Sequence, residues 1–311
     1  MDKITKVFFI MGAGHSGSTL LDIVLSSHRK GVGSGEFVWL PRRYQEEPTR
    51  ICSCKKRYAK CDVWSSVFNE WYKKIGRENI DRFLALQSKF EQPRSPTLYF
   101  LQKDKILSDP NFKDYCEMLS LLYQVLAETT QSDFVVDSSK LPTRGFVLSK
   151  CQGVDLRLIH LVRDPRAVGY SKIKRQAFKP SAQHPVRAVF GWALHNKQCD
   201  QVAKNLPVRK RSVIKYEELV SNPASTLKRI EEVGDEDFSA VIDQTIDHKP
   251  IEIGHIPAGN QIRFRQTIML RADFSWKKKL SKAEKSIYWW LSLGHGKKYG
   301  YDRSSDLDGG A

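Results

Sequence analysis

The chain has no uninterrupted apolar run approaching the roughly 18 residues that a membrane-spanning helix requires. Its first apolar stretch, residues 7–11, is too short for the core of a secretory signal and is interrupted by a glycine loop, so the expected compartment is the cytoplasm. Cysteine is sparse, six residues in 311. Cys52, Cys54 and Cys61 cluster as C-x-C-x6-C, one ligand short of a tetrahedral zinc site. They read as loop thiols or one local disulfide, and no metal is expected. Cys116, Cys151 and Cys199 are scattered and read as small buried hydrophobes. There is no internal repeat, zinc-finger spacing, RNP motif or aromatic-rich basic repeat. Acidic residues are the minority, 35 against 51 Lys and Arg, giving a net charge of +16. Such an excess fits nucleic acid, an acidic membrane surface or a highly anionic small ligand. The basic runs 209–211 and 277–279 read as solvated faces, so no nucleic-acid partner is expected.

Against these absences, residues 7–25, VFFIMGAGHSGSTLLDIVL, stand out. An apolar strand-like run enters a glycine loop, and an amphipathic helix with Leu20, Leu21, Ile23 and Val24 follows. Backbone N–H groups at a helix start lack intrahelical partners and carry partial positive charge, so this order of elements holds phosphate. The loop fits the Walker pattern at Gly12, Gly17 and Thr19, but Ser18 stands where the lysine should be. A triphosphatase needs that lysine for the β- and γ-phosphates. This loop is therefore expected to grip a phosphate without driving triphosphate cleavage.

With 41% hydrophobic residues the chain can form one large α/β domain with an insert. Residues 6–11, 134–137, 156–162 and 212–215 read as short apolar strands, and 17–28, 143–151, 165–176 and 223–233 as the helices that follow them. The alternation predicts a P-loop-type parallel sheet flanked by helices, with ligand at the carboxyl ends of the strands. Residues from about 40 to 130 break it and read as a helical insertion after the first βα unit. That insertion is either a lid or acceptor wall, or a packing layer. Its Trp64, Trp71, Tyr72, Tyr99 and Phe100 would suit stacking on a ring, although core packing explains them more simply. The expected single domain spans 1–301. A helix is expected at 281–293 and a disordered tail at 302–311. The turn-rich stretch Gln92–Pro96 lies inside the insertion. The loop 247–276 carries Arg263, Arg265 and Arg271 beside Gly254 and Gly259, which points to anion contact or to a solvated loop.

The second strong signal is LIHLVRDPRAVGYS, residues 158–171. Arg163 ends a strand, Asp164 can cap the next helix and Pro165 fits its first turn. Arg163 and Ser171, about two helical turns on, can face a second phosphate.

Together GHSGST and LVRDPRAVGYS resemble the 5′-phosphosulfate loop and the 3′-phosphate motif of sulfotransferases that use 3′-phosphoadenosine-5′-phosphosulfate (PAPS). Further segments resemble bacterial members: VVDSSK at 135–140, KYEELVSNP at 215–223, GNQIRF at 259–264, and ICSC at 51–54 with CDVW at 61–64, which is similar to a "CSCG…CPFW" insert. The resemblance covers roughly residues 5–290 and includes the tyrosylprotein branch. It implies that Gly14, His15, Ser16, Gly17, Ser18 and Thr19 hold the 5′-phosphosulfate. It implies that Arg163 and Ser171 hold the 3′-phosphate with Arg263 or Arg265, and that Tyr216 lies by adenine. The implied reaction is in-line sulfuryl transfer to a hydroxyl or amine, leaving adenosine 3′,5′-bisphosphate (PAP). Glu36 is the expected general base, although a solvated carboxylate after a glycine turn is the plainer reading. Cytosolic members use a histidine after a middle strand; here that region reads DSSK, and His160, inside an apolar strand, reads as a core residue.

The chain departs from the resemblance at His15, where Lys or Arg is usual. Either His15 donates as imidazolium, or Lys140 meets the leaving-group charge. The alternative class is a P-loop kinase or nucleotide hydrolase, with Phe134–Asp137 as its Walker B strand. A basic nucleic-acid binder is a third possibility. The acceptor, whether a small molecule, a carbohydrate or a peptide, is left open, as is the oligomeric state.

Overall fold

Alternate side chains of β1 (Thr5–Met11) are buried on opposite sides, which requires a covering layer on each face. Val7, Phe9 and Met11 join one core, and Phe8 and Ile10 join the other. This computed structural model describes residues 3–92, 96–178 and 184–303. Besides β1, the main sheet contains β2 (Gly31–Gly33), β3 (Phe134–Lys140), β4 (Val154–Val162) and β5 (Arg211–Lys215). Their order is β2-β3-β1-β4-β5, and every pairing is parallel. The fold is therefore an α/β parallel sheet flanked by helices, as the alternation of apolar segments predicts.

Parallel strands bring their carboxyl ends to one edge. That edge gathers the loop after β1, residues 34–36 after β2, Lys140 at the end of β3, Arg163 just past β4 and Tyr216 just past β5. The chain also changes sides of β1 between β3 and β4, and such a reversal opens a crevice.

Four predicted strands correspond to β1, β3, β4 and β5, but β2 has no counterpart among them. Consequently the helical region begins after the second strand rather than after the first βα unit. Its principal helices are Leu40–Glu46, Asp62–Ile75, Ile80–Glu91 and Pro110–Thr129. Trp64, Trp71, Tyr72 and Tyr99 are buried in the same core as Val7, Phe9 and Met11, with Phe100 packed against it. These rings are thus interior to the layer that covers the sheet and present no stacking wall. Cys116, Cys151 and Cys199 are likewise buried.

An ion-pair cluster ties that layer to the sheet. Arg144, on the helix Pro142–Leu148, meets Glu91 at 2.6 Å and Asp137 of β3 at 2.8 Å, with all three side chains inaccessible to solvent. Tyr123 donates to Asp137 at 2.5 Å. Among the described residues no helix is long and apolar enough to cross a membrane. Residues 93–95 of the turn-rich stretch and 304–311 of the tail lie outside the described residues; the carbonyl of Asp302 accepts from Arg166 at 3.0 Å.

Removing one partner of a buried ion pair strands the others without compensation, at a cost of about 3–5 kcal/mol. Arg144→Met is expected to lose stability of that order in urea unfolding. A loss below about 1 kcal/mol would show that the cluster contributes no more than a surface pair.

Candidate active site

The loop after β1 takes a path that side chains would block. At Gly12 (φ 150°) a Cβ would lie 2.1 Å from the Leu161 carbonyl oxygen. At Gly17 (φ 94°) it would lie 2.5 Å from the ring of Tyr216. His15 between them also has a left-handed backbone, φ 70°. Gly17 caps the helix Ser18–Ser26, whose first bond runs from the Leu21 N–H to the Gly17 carbonyl at 3.0 Å. The amides of Gly17, Ser18 and Thr19 precede that bond, and among the described residues no carbonyl accepts from them. The Ser16 hydroxyl is buried there with no hydrogen-bond partner among the described residues. Gly14 is exposed, while Ser18 and Thr19 are buried; Thr19 Oγ1 accepts from the Asn260 N–H at 3.1 Å.

Arg163 and Ser171 both converge on His15. One terminal nitrogen of Arg163 donates to the His15 carbonyl at 3.1 Å, and the other to the Asp273 carbonyl at 3.2 Å. Its Nε–H is buried with no hydrogen-bond partner among the described residues. Its guanidinium carbon lies 4.1 Å from the centre of the Tyr216 ring. Ser171 Oγ is 3.0 Å from His15 Nδ1. Burial pushes the His15 pKa down to about 3, and Lys172, Arg175, Arg163 and Lys140 push in the same direction. His15 is therefore a neutral imidazole before any anion arrives, which bears against its acting as a preformed imidazolium. Lys172 and Arg175 went unremarked in the sequence, although KIKR directly follows Ser171 and places them on the same helix, Pro165–Phe178.

Glu36 and Lys140 form a pair at 2.5 Å, about a fifth exposed on each side (24% and 18%). Gly35, at φ 61°, lets the chain approach the late loop, since a Cβ there would lie 2.2 Å from the Ala258 carbonyl oxygen. Lys140 also has a left-handed backbone, φ 71°. Its carbonyl accepts from the Gly12 N–H at 3.3 Å and lies 3.2 Å from His195 Nε2. Burial holds the His195 pKa down to about 4, so this histidine is a neutral donor that steadies the end of β3.

The late-loop arginines differ in their surroundings. Arg263 is buried, donates to the carbonyls of Ile51 and Ile256 at 3.2 Å each, and lies over Phe264. Both bonds leave one terminal nitrogen and join the insertion to the late loop, while its Nε–H is buried with no partner among the described residues. Arg265 is exposed, and among the described residues no side-chain contact ties it to that loop. Asp137, the aspartate of the Walker B alternative, is consumed by Arg144, Tyr123 and Ser139. His160 is buried in β4, 2.8 Å from Asn196. The cysteines of the insertion are free thiols, so the local disulfide expected as one possibility is not formed.

The glycine loop at a helix N-terminus, faced by an arginine just past the neighbouring strand, sits at the carboxyl edge of the parallel sheet of this α/β fold. The chain belongs to the sulfotransferase family, whose model matches residues 8–239. Among solved structures it is similar to the sulfotransferase domain from the curacin biosynthetic pathway, at 19% identity and TM-score 0.56 over 97% of this chain and 99% of that one. The sulfotransferase domain of the Synechococcus PCC 7002 olefin synthase aligns at 17% identity and TM-score 0.52, covering 97% of each chain. Sulfotransferase STF9 from Mycobacterium avium aligns at 14% and 0.50, over 96% of this chain and 78% of that one. At such identities the likeness speaks for the fold alone. No curated protein sequence matches the chain.

Asp22, fully buried, and His15, half-buried, give opposite pH dependences. Burial pushes Asp22, which accepts from Ser138 Oγ at 2.6 Å, up from 3.8 to about 7. The folded state then holds a proton that the unfolded state has lost, so stability from Asp22 falls as pH rises from 3.8 towards 7. His15 is neutral when folded and charged when unfolded below 6.5, so its contribution falls as pH drops from 6.5 towards 3. Between these limits His15→Gln is expected to make unfolding free energy fall more steeply with rising pH than in the native chain. Asp22→Asn is expected to make it rise, each by up to about 1.4 kcal/mol per pH unit. Identical slopes for all three chains would contradict these assignments.

Proposed function

We propose that the chain transfers the sulfuryl group of PAPS to a hydroxyl or amine acceptor by in-line displacement. The observation that carries this reading is the meeting, at one loop, of unpaired helix-start amides, the orphaned Ser16 hydroxyl, the orphaned Arg163 Nε–H and four cations bearing on His15. Such a site fits a ligand with more than one anionic group. The loop Gly14–Thr19 would hold the 5′-phosphosulfate, and Arg163 with Ser171 the 3′-phosphate. Lys172 and Arg175 add charge on the same side. Tyr216, buried against Gly17 and Arg163, would lie by the adenine end as part of the wall that these residues form.

In the transfer, the bond between sulfur and the phosphate oxygen breaks as the acceptor oxygen or nitrogen bonds to sulfur. The acceptor's proton passes to Glu36, and PAP departs. Negative charge grows on the leaving oxygen, where helix-start amides and Lys140 stabilise it more than in the ground state. The Glu36–Lys140 pair holds base and cation side by side before substrate binds. A kinase or hydrolase reading is disfavoured by Ser18 in the lysine position and by the engagement of Asp137. The cytoplasm remains the expected location, and the acceptor a small molecule, carbohydrate or peptide.

The test is turnover of radiolabelled PAPS against a panel of alcohols, phenols, amines, sugars and tyrosine peptides, with no magnesium added. Label is expected to appear in an acceptor; phosphoryl transfer from ATP that depends on magnesium would contradict the proposal. Glu36→Gln is expected to lower kcat by about 10²–10⁴-fold. Lys140→Ala is expected to lower turnover more than donor affinity, and unchanged turnover in either variant would remove that residue from the mechanism.

A further inference from the structure

The cysteine cluster of the insertion gains a fourth member from a distant part of the chain. Sγ of Cys52, Cys54 and Cys61 and a ring nitrogen of His255 all lie within 4.8 Å of one another. His255 Nδ1 is 3.1 Å from Cys61 Sγ. Ligands at about 2.3 Å for sulfur and 2.0–2.1 Å for nitrogen stand about 3.5–3.8 Å apart around a tetrahedral zinc ion, so the donors need only sub-ångström to ångström adjustments to surround one. Cys52 and Cys61 are buried, while Cys54 and His255 are partly exposed and leave a route for the ion. We propose that Cys52, Cys54, Cys61 and His255 form a structural zinc site that fastens the insertion to the late loop.

The local backbone is built for this set. Residues 51–57 turn back on themselves: Cys52 N–H donates to the Lys56 carbonyl at 2.9 Å, and Lys55 N–H to that of Cys52 at 2.9 Å. Lys55 takes a left-handed conformation, φ 65°, at the tip. Cys61 then caps the helix Asp62–Ile75. On the other side, the segment around His255 is held to the same turn. Ser53 N–H donates to the Ile256 carbonyl at 3.1 Å, Ile256 N–H to Ser53 Oγ at 2.8 Å, and Trp64 Nε1 to the His255 carbonyl at 2.8 Å. Tyr58 donates to the Pro257 carbonyl at 2.8 Å. Four protein donors leave no open coordination position, which makes the site structural rather than catalytic.

Binding is a ligand exchange without redox change. Three thiols lose their protons to solvent, the thiolate lone pairs and one imidazole lone pair bond to Zn²⁺, and the site carries a net charge of −1. The hydrogen bond between Cys61 and His255 gives way to coordination. The segment so anchored reaches the active site within a few residues: the Ala258 carbonyl accepts from the Glu36 N–H at 3.3 Å, and Asn260 N–H reaches Thr19. The ion therefore acts as a staple behind the candidate base and the phosphate loop. The inference stands apart from the donor reading, because metal content is measured without turnover.

The full chain, expressed in zinc-supplemented medium and desalted, is assayed for metal by mass spectrometry, and for zinc freed when a mercurial blocks the thiols. About one zinc per chain is expected, released by the mercurial and lost from Cys54→Ser and His255→Ala. Cobalt(II) added to the stripped native chain is expected to give thiolate-to-cobalt absorption, which keeps the proposal testable if a variant fails to fold. A native chain without zinc, or with two of these cysteines joined in a disulfide under non-reducing peptide mapping, would overturn it. So would full zinc retention in both folded variants, since the ion would then sit elsewhere.

Discussion

The guanidinium of Arg163 touches three separate pieces of the chain at once: the His15 carbonyl in the phosphate loop, the Asp273 carbonyl in the late loop and the face of Tyr216 beyond β5. It stands just past β4, beside the strand that launches the phosphate loop, so parallel pairing delivers it there. Tyr216 in turn fills the space against Gly17 that a side chain at that position would occupy. Arginine suits this place because its planar, permanently charged fork can bond two carbonyls, lie on a ring and still offer another N–H. The positive charge assembled at the loop depends on that fixed arrangement.

Charge gathered in this way repels itself, and the structure shows how it is managed. His15 has given up its proton: with burial and four cations around it, the neutral ring is the cheaper state. Lys140 is held against Glu36, and Lys174 against Asp273 at 2.9 Å. An anionic ligand would supply the compensation that His15, by staying neutral, avoids needing. A neutral histidine at position 15 therefore adds no repulsion to the cations around it, where a lysine or arginine would.

Much of the sheet was legible because each of β1, β3, β4 and β5 is a short apolar run followed by a turn and a helix. β2 was not, because Gly31-Val-Gly33 carries no apolar pattern and is a strand only by pairing with β3. Arg263 illustrates a different limit: an arginine in a glycine-bearing loop has the composition of an anion site, but only the fold reveals that one of its terminal nitrogens bonds two backbone carbonyls. Lys172 and Arg175 were hidden by their ordinariness as helix-surface charges. His255 lies some two hundred residues from the cysteines it meets, and no spacing rule reaches that far. What was readable is local periodicity and contiguous motif; what was not is convergence across the chain.

The central claim is that the loop and Arg163 together hold two phosphates. Calorimetric titration with adenosine 3′,5′-bisphosphate and with adenosine 5′-monophosphate, on the native chain and on Arg163→Ala, tests it most directly. The account predicts micromolar binding of the bisphosphate, much weaker binding of the monophosphate, and loss of that preference in Arg163→Ala. Equal affinity for the two nucleotides in the native chain, or no binding of the bisphosphate at micromolar concentrations, would contradict it.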